Sequence, residues 1–287
     1  MTTVAPATAE AKPPASPIEV QMTDSVRVAR KASSRRRNLV FATQIAVLAA
    51  FLGLWQWGAD SGTLGNADLF YGSPSGVFNA LVDNWDRLLA SLGATAAAAF
   101  GGFAIGVGCA LLIGVLLTQI PFLARVADPY ITVLTGLPRI ALAPLFVLWF
   151  GIGSSAKMAL AFSLVFFIVL INVLAGFRGV DNDIVVMARS FGATRLKVVT
   201  GVTLPASLPV LFAGLRLGIV FSILGVIAME MTAASNGLGL DIIRFGQTLQ
   251  PNGIFAALVI LAIAMALLNW VLRTIEGRLL AWVPDRR

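Results

Sequence analysis

Val186-Met-Ala-Arg-Ser-Phe-Gly-Ala-Thr-Arg-Leu-Lys-Val-Val-Thr-Gly-Val-Thr-Leu-Pro205 is a basic island between two long apolar runs. Met187, Phe191, Val198 and Val202 alternate with Arg189, Arg195 and Lys197 in the pattern of an amphipathic helix. Gly192 breaks that helix, because glycine permits a sharp turn that other residues resist. A second short helix follows and stops at Leu204-Pro205. On chemistry alone such a segment either lies on a lipid surface or docks a protein.

The runs on either side, Ala156 to Phe177 and Val210 to Ala233, are long enough to cross a bilayer, which takes about 20 apolar residues. Four more stretches qualify: Leu39 to Ala59, Leu92 to Ile120, Ile131 to Phe150 and Ile254 to Leu272. Pro138, Arg139 and Pro144 interrupt the third span, and a break inside a membrane is tolerated only where protein or a cavity covers the freed backbone groups. Between the first two spans, Leu81, Val82, Trp85, Leu88 and Leu89 have helical spacing and read as a surface helix. The chain is 287 residues long, with 58% hydrophobic and 12% charged residues and a mean hydropathy of +0.87. A soluble domain carries roughly 45–50% apolar and about 25% charged residues. Soluble and disordered classes are excluded, and an all-α integral membrane protein of about six transmembrane helices is the fold expected.

The net charge of +7 does not mark a nucleic-acid surface. The basic residues lie in the first segment and between apolar stretches. With the first segment in the cytoplasm, the inner side holds Arg125, Arg178, Arg189, Arg195, Lys197, Arg216, Arg273, Arg278, Arg286 and Arg287. The outer side holds Arg87, Lys157 and Arg244, with Asp60, Asp68, Asp83, Asp86 and Asp241. The positive-inside rule therefore predicts both termini in the cytoplasm. Residues 1–37, Ala- and Pro-rich and then basic from Arg27 to Arg37, read as a disordered cytoplasmic tail. Residues 38–91 hold the first span and an outer segment, residues 92–282 the core of the remaining spans with the cytoplasmic loop 178–209, and residues 283–287 a short cytoplasmic tail.

There is no histidine, which removes His-based acid–base catalysis and most zinc sites. The single cysteine, Cys109, makes no intrachain disulfide and reads as a small packing residue. The four lysines, Lys12, Lys31, Lys157 and Lys197, none after a glycine, leave no P-loop.

The loop resembles the cytoplasmic signature of binding-protein-dependent ABC importer permeases, Glu-Ala-Ala-x3-Gly-x9-Ile-x-Leu-Pro. Ala188, Gly192, Val202, Leu204 and Pro205 fit it, whereas Val186 stands at the glutamate position and Met187 at the first alanine. Leu137-Pro-Arg-Ile-Ala-Leu-Ala-Pro-Leu-Phe-Val-Leu-Trp-Phe-Gly-Ile-Gly153 is similar to the nitrate/sulfonate/taurine-type permeases. So are Pro205-Ala-Ser-Leu-Pro209, Gly214-Leu-Arg216, Met229-Glu-Met231 and Gly237-Leu-Gly239. The resemblance runs from about Leu92 to Trp282. It implies the type I ABC importer transmembrane fold, in a bacterial cytoplasmic (inner) membrane, and a pathway for a small solute such as a sulfonate, nitrate or taurine. It further implies a second permease copy, a periplasmic or lipid-anchored solute-binding protein, and cytoplasmic ATPase subunits that carry the ATP and Mg, with no cofactor on this chain and no enzymatic activity of its own. The ATPase-coupling residues expected from it are Ala188, Arg189, Ser190, Phe191, Gly192, Ala193, Thr194, Leu204 and Pro205.

Four residues are candidates for the pathway or a gate. Glu230 is the only acidic residue inside an expected span, and a charge there faces a cavity, a partner or the interface. Arg139, beside Pro138 in the broken span, suits anion attraction, gating or a salt bridge. Asn172 either bonds across helices or lines the path. Gly102-x3-Gly106 is a small-residue spacing of the helix-packing kind. An ion-coupled secondary transporter is the alternative, but it wants intramembrane carboxylates and a repeated pair of broken helices, and only Glu230 is available.

Overall fold

The computed structural model describes the backbone of residues 17–61 and 70–280, with side chains over 39–61 and 70–280. Residues 1–16, Asp68 and the tail from 283 to 287 lie outside the described residues. Among those described, all regular structure is helical. The chain divides into a unit ending at Ser61 and a second from Gly62 onward.

The first unit contains α1 (Pro17–Asp60). Its helix starts well before Leu39, so the second half of the expected disordered tail has a helical backbone. No proline or glycine falls between Pro17 and Gly53, and proline is well suited to a first helical position. The span-like part is Leu39–Asp60.

The second unit contains α2 (Pro74–Asp83), α3 (Trp85–Gln119), α4 (Pro121–Gly136), a 3-10 turn (Arg139–Leu142) and α5 (Ala143–Phe150). There follow α6 (Ser154–Arg178), α7 (Asn182–Ser190), α8 (Arg195–Val198), a π-helical turn (Val199–Thr203), α9 (Leu204–Thr232), α10 (Leu238–Gln247) and α11 (Pro251–Leu279). The expected surface helix breaks at Asn84, so Trp85 to Leu89 belong to α3. Ser73 caps α2 by accepting from the Gly76 N–H, and its own N–H donates to Asn252 Oδ1 at the start of α11.

Helices α3, α6 and α11, and the continuous run Arg195–Thr232, are each long and apolar enough to cross a membrane. The expected third span is instead two helices, Pro121–Gly136 and Arg139–Phe150, bent by 82°. Proline at 138 forces Leu137 into an extended conformation (φ −66°, ψ 134°) and ends α4. Pro138 also lacks the N–H that a continuing helix would send to the Leu134 carbonyl. The Arg139 guanidinium supplies that bond, donating to Leu134 O at 2.6 Å. Gly151, at φ +74°, ends α5.

Helix α6 lies between α3 and α9, and its Val165, Val169, Leu170, Val173 and Phe177 join Ala110, Leu117 and Leu211 in the main buried cluster. Lipid supplies no hydrophobic force between helices, so contact must be close. A Cβ at Gly102 would stand 2.6 Å from Ala161 Cβ, and one at Gly106 2.9 Å from Val165 Cβ. The small-residue spacing in α3 is thus a packing seam. Gly102→Val is expected to lose about 1–3 kcal/mol through overpacking. It should lower the thermal midpoint in detergent; an unchanged midpoint would contradict the seam.

Candidate functional site

The loop after α6 is built by local bonds. Asp181 caps α7 by accepting from the Asp183 N–H, and Thr194 caps α8 by accepting from the Lys197 N–H. Between them, Ala193 N–H donates to Ala188 O and Gly192 N–H to Arg189 O. This is the paired-bond motif that closes a helix on a left-handed residue, and Gly192 takes φ +82° to make it. Ala188, Arg189, Ser190, Phe191, Gly192, Ala193 and Thr194 therefore form one capped turn. Leu204 and Pro205 stand beyond it, at the start of α9.

The faces differ from the single apolar stripe expected. Val198 and Val199 are buried, whereas Met187 is 55%, Leu196 72% and Phe191 85% exposed. Val186, at the position of the signature glutamate, is exposed too. Arg189 and Arg195 line a recess on the body side of the loop. The inversion was not legible because periodicity gives the faces of a helix but not which one the rest of the chain covers.

Glu230 is at the last turn of α9 and 1% exposed. Its Oε1 accepts from Lys157 Nζ at 2.8 Å, its Oε2 from the Gly239 N–H at 2.9 Å, and the Thr95 hydroxyl lies 3.0 Å from both oxygens. Lys157 is also 1% exposed and spends its other two donors on Asn236 O and Oδ1, at 2.7 and 2.8 Å. Thr95 in turn accepts from the Leu238 N–H. One carboxylate thus ties together α3, α6, α9 and the start of α10, where the helix dipole also favours an anion. Among the described residues it is closed in by these partners rather than open to a cavity. Lys157, read from the sequence as an outer loop charge, is the partner that a buried Glu230 required; a lone lysine at the edge of an apolar run was the available signal.

Both glycines of Gly237-Leu-Gly239 follow from this clamp. A Cβ at Gly237 would lie 1.9 Å from Glu230 Oε1, and one at Gly239 2.7 Å from Glu230 Cβ. Gly237 also has φ +112°. Gly237→Ala is expected to expel the carboxylate and destabilise the fold by more than the roughly 1 kcal/mol typical of a point mutation, seen as a lowered midpoint in detergent. A variant as stable as the parent would place the carboxylate elsewhere. At the same end, Asp241 accepts from Arg87 at 2.6 Å and from Ser91 at 2.5 Å, while the Arg87 guanidinium lies 5.2 Å from the Phe245 ring centroid.

The remaining candidates lie apart from the clamp. Arg139 is 8% exposed and stacks 4.2 Å from the Phe167 ring centroid, with no acidic partner among the described residues. Pro138 is exposed at the bend. Asn172 donates to Ile168 O of its own helix, so the expected bond across helices is not formed. Its side chain instead lies against Gly214, whose Cβ would come within 2.5 Å of Asn172 Cβ.

A helical core of long apolar spans, one of them bent, with a capped loop projecting from one end, is the architecture of a polytopic membrane permease. Residues 102–282 match the family described as binding-protein-dependent transport system inner membrane component. The chain is 32% identical to the taurine transport system permease protein TauC of Escherichia coli (strain K12), over 73% of this chain and 74% of that protein. It is 33% identical to the riboflavin transport system permease protein RibX of Chloroflexus aurantiacus (strain ATCC 29366 / DSM 635 / J-10-fl), over 69% and 72%. An inward-facing structure of the MetNI methionine ABC transporter shares the fold, with a TM-score of 0.56 and 22% identity over 70% of this chain and 96% of that one. The chain belongs to the binding-protein-dependent ABC transporter permeases and is a transmembrane component of the inner membrane.

Proposed function

We propose that the turn from Ala188 to Thr194 seats a cytoplasmic ABC ATPase, and that this contact couples ATP use to solute passage. The carrying observation is the outward projection of Met187, Phe191 and Leu196 from a loop whose backbone is closed by its own caps. A solvent-exposed apolar cluster on a rigid turn is suited to a protein partner. ATP and Mg belong to that partner, since this chain has no P-loop lysine. The arginines around the loop favour its cytoplasmic placement. A second copy of this chain completes the pathway, and a solute-binding protein delivers to the opposite side. Val186 removes the charge that the signature carries there, so the docking contact is more apolar.

The solute we propose is a sulfonate or a similar small organic anion. The taurine permease relative supports this, and so does Arg139, the cation at the bend of the broken span with no acidic partner among the described residues. Alternating access then needs an element with two states that both ends bias. The test is a pull-down of the tagged chain in mild detergent after crosslinking. A P-loop protein and a solute-binding protein that takes up a sulfonate are the expected companions. Capture of neither, with uptake abolished by collapsing the ion gradient, would restore the ion-coupled alternative.

A further inference from the structure

The recess behind the loop has a volume of about 490 Å³, within the range of small-molecule sites. Its wall is apolar where the ends of α3 and α6 form it, through Leu117, Leu174 and Phe177. Its rim carries Arg178, Arg189 and Arg195 and no acidic residue. Arg178 has Asp128 at 3.9 Å, an exposed pair that neutralises little. Arg189 and Arg195 have no acidic partner among the described residues. Asp181 and Asp183, on the same loop, are outside the lining, and Asp181 is engaged in capping α7.

We propose that this recess binds a phosphate-bearing ligand, and that at its depth the ligand is the headgroup of an anionic phospholipid. Guanidinium groups bind phosphate through paired, charge-assisted bonds. The recess opens where two spanning helices end, at Gln119 and Arg178, and the ends of spanning helices are where lipid headgroups lie. Guanidinium groups above and an apolar wall below match an amphiphile with a phosphate at the top and acyl carbons beneath. The chemistry does not depend on what docks on the outward face of the loop.

The test uses the full chain, with whatever complex it keeps, in nanodiscs of phosphatidylcholine containing some phosphatidylglycerol. Phospholipid retained after transfer to detergent is counted by native mass spectrometry. Wild type is expected to retain phosphatidylglycerol selectively. Arg189→Gln with Arg195→Gln should lower that retention about tenfold or more, from the loss of charged hydrogen bonds, while phosphatidylcholine is unchanged. Arg273→Gln with Arg278→Gln on α11 should have no effect. Stabilisation by inorganic phosphate of wild type but not of the double variant, without selective lipid retention, would keep the site and reassign its source to a free anion. Equal lipid retention together with an equal phosphate response in wild type and variant would overturn the site. Both arginines are exposed, so folding should survive; Arg195→Gln alone provides a milder variant if the pair does not express.

Discussion

Lys157→Met is expected to give the largest loss of stability of any single substitution in the core, about 3–5 kcal/mol. It would leave Glu230 charged at 1% exposure with only Thr95 and the Gly239 N–H. Glu230→Gln should cost a similar amount from the other side, stranding the ammonium against Asn236. The geometry therefore puts a folding defect ahead of a transport defect at Glu230, whereas a residue lining the pathway would give the reverse. Combining Lys157→Met with Glu230→Leu should restore part of the loss, because a buried ion pair replaced whole by apolar groups is often neutral. Thermal midpoints of the two single variants and the double in one detergent would decide it. Additive losses, or a Lys157→Met protein with the parent's midpoint, would remove the clamp from the account of stability.

Gly192→Asp should have the opposite profile, with the chain stable in the membrane but poorly coupled. A Cβ at Gly192 meets nothing within 4 Å, so no clash follows. The φ of +82° disfavours any other side chain, at roughly 1–2 kcal/mol, with Asp among the more tolerant. That strain falls on the turn that closes α7 and aims Phe191, and the carboxylate adds a desolvation penalty to an apolar contact. Recovery of the ATPase with the tagged chain is expected to fall about tenfold, as a loss of about 1.4 kcal/mol would give. Phe191→Asp, which leaves the backbone alone, should do the same. If both variants recover the ATPase normally, the docking surface lies elsewhere.

Span positions were legible because lipid demands a long apolar run wherever a helix crosses. The bend after Gly136 was partly legible: Pro138 announced a break, but the 82° angle and the use of Arg139 to cap Leu134 depend on packing. Gly192 was legible as a turn, since its backbone need is local. The clamp was not, because Thr95, Lys157, Glu230 and Gly239 come from four elements. Pairing is a property of the tertiary fold, and no spacing rule connects residues 73 positions apart. Glu230 could be marked as needing a partner, but the partner could not be read off. The helical start of α1 at Pro17 was missed because composition describes a tail poorly once its prolines stop.

The run from Arg195 to Thr232 joins the turn closed by Gly192 directly to Glu230 as 38 helical residues, roughly 57 Å of helix. It carries two irregularities, the π turn at Val199–Thr203 and Pro209 inside the helix. Such a turn accommodates an extra residue while the helix on either side keeps its phase. A helical wheel drawn straight through this run is consequently out of step by one residue, about 100°, between Val198 and Gly214. Both irregularities thus lie in the half of the run beside the loop, while at its far end side-chain bonds to Thr95, Lys157 and the Gly239 N–H hold Glu230.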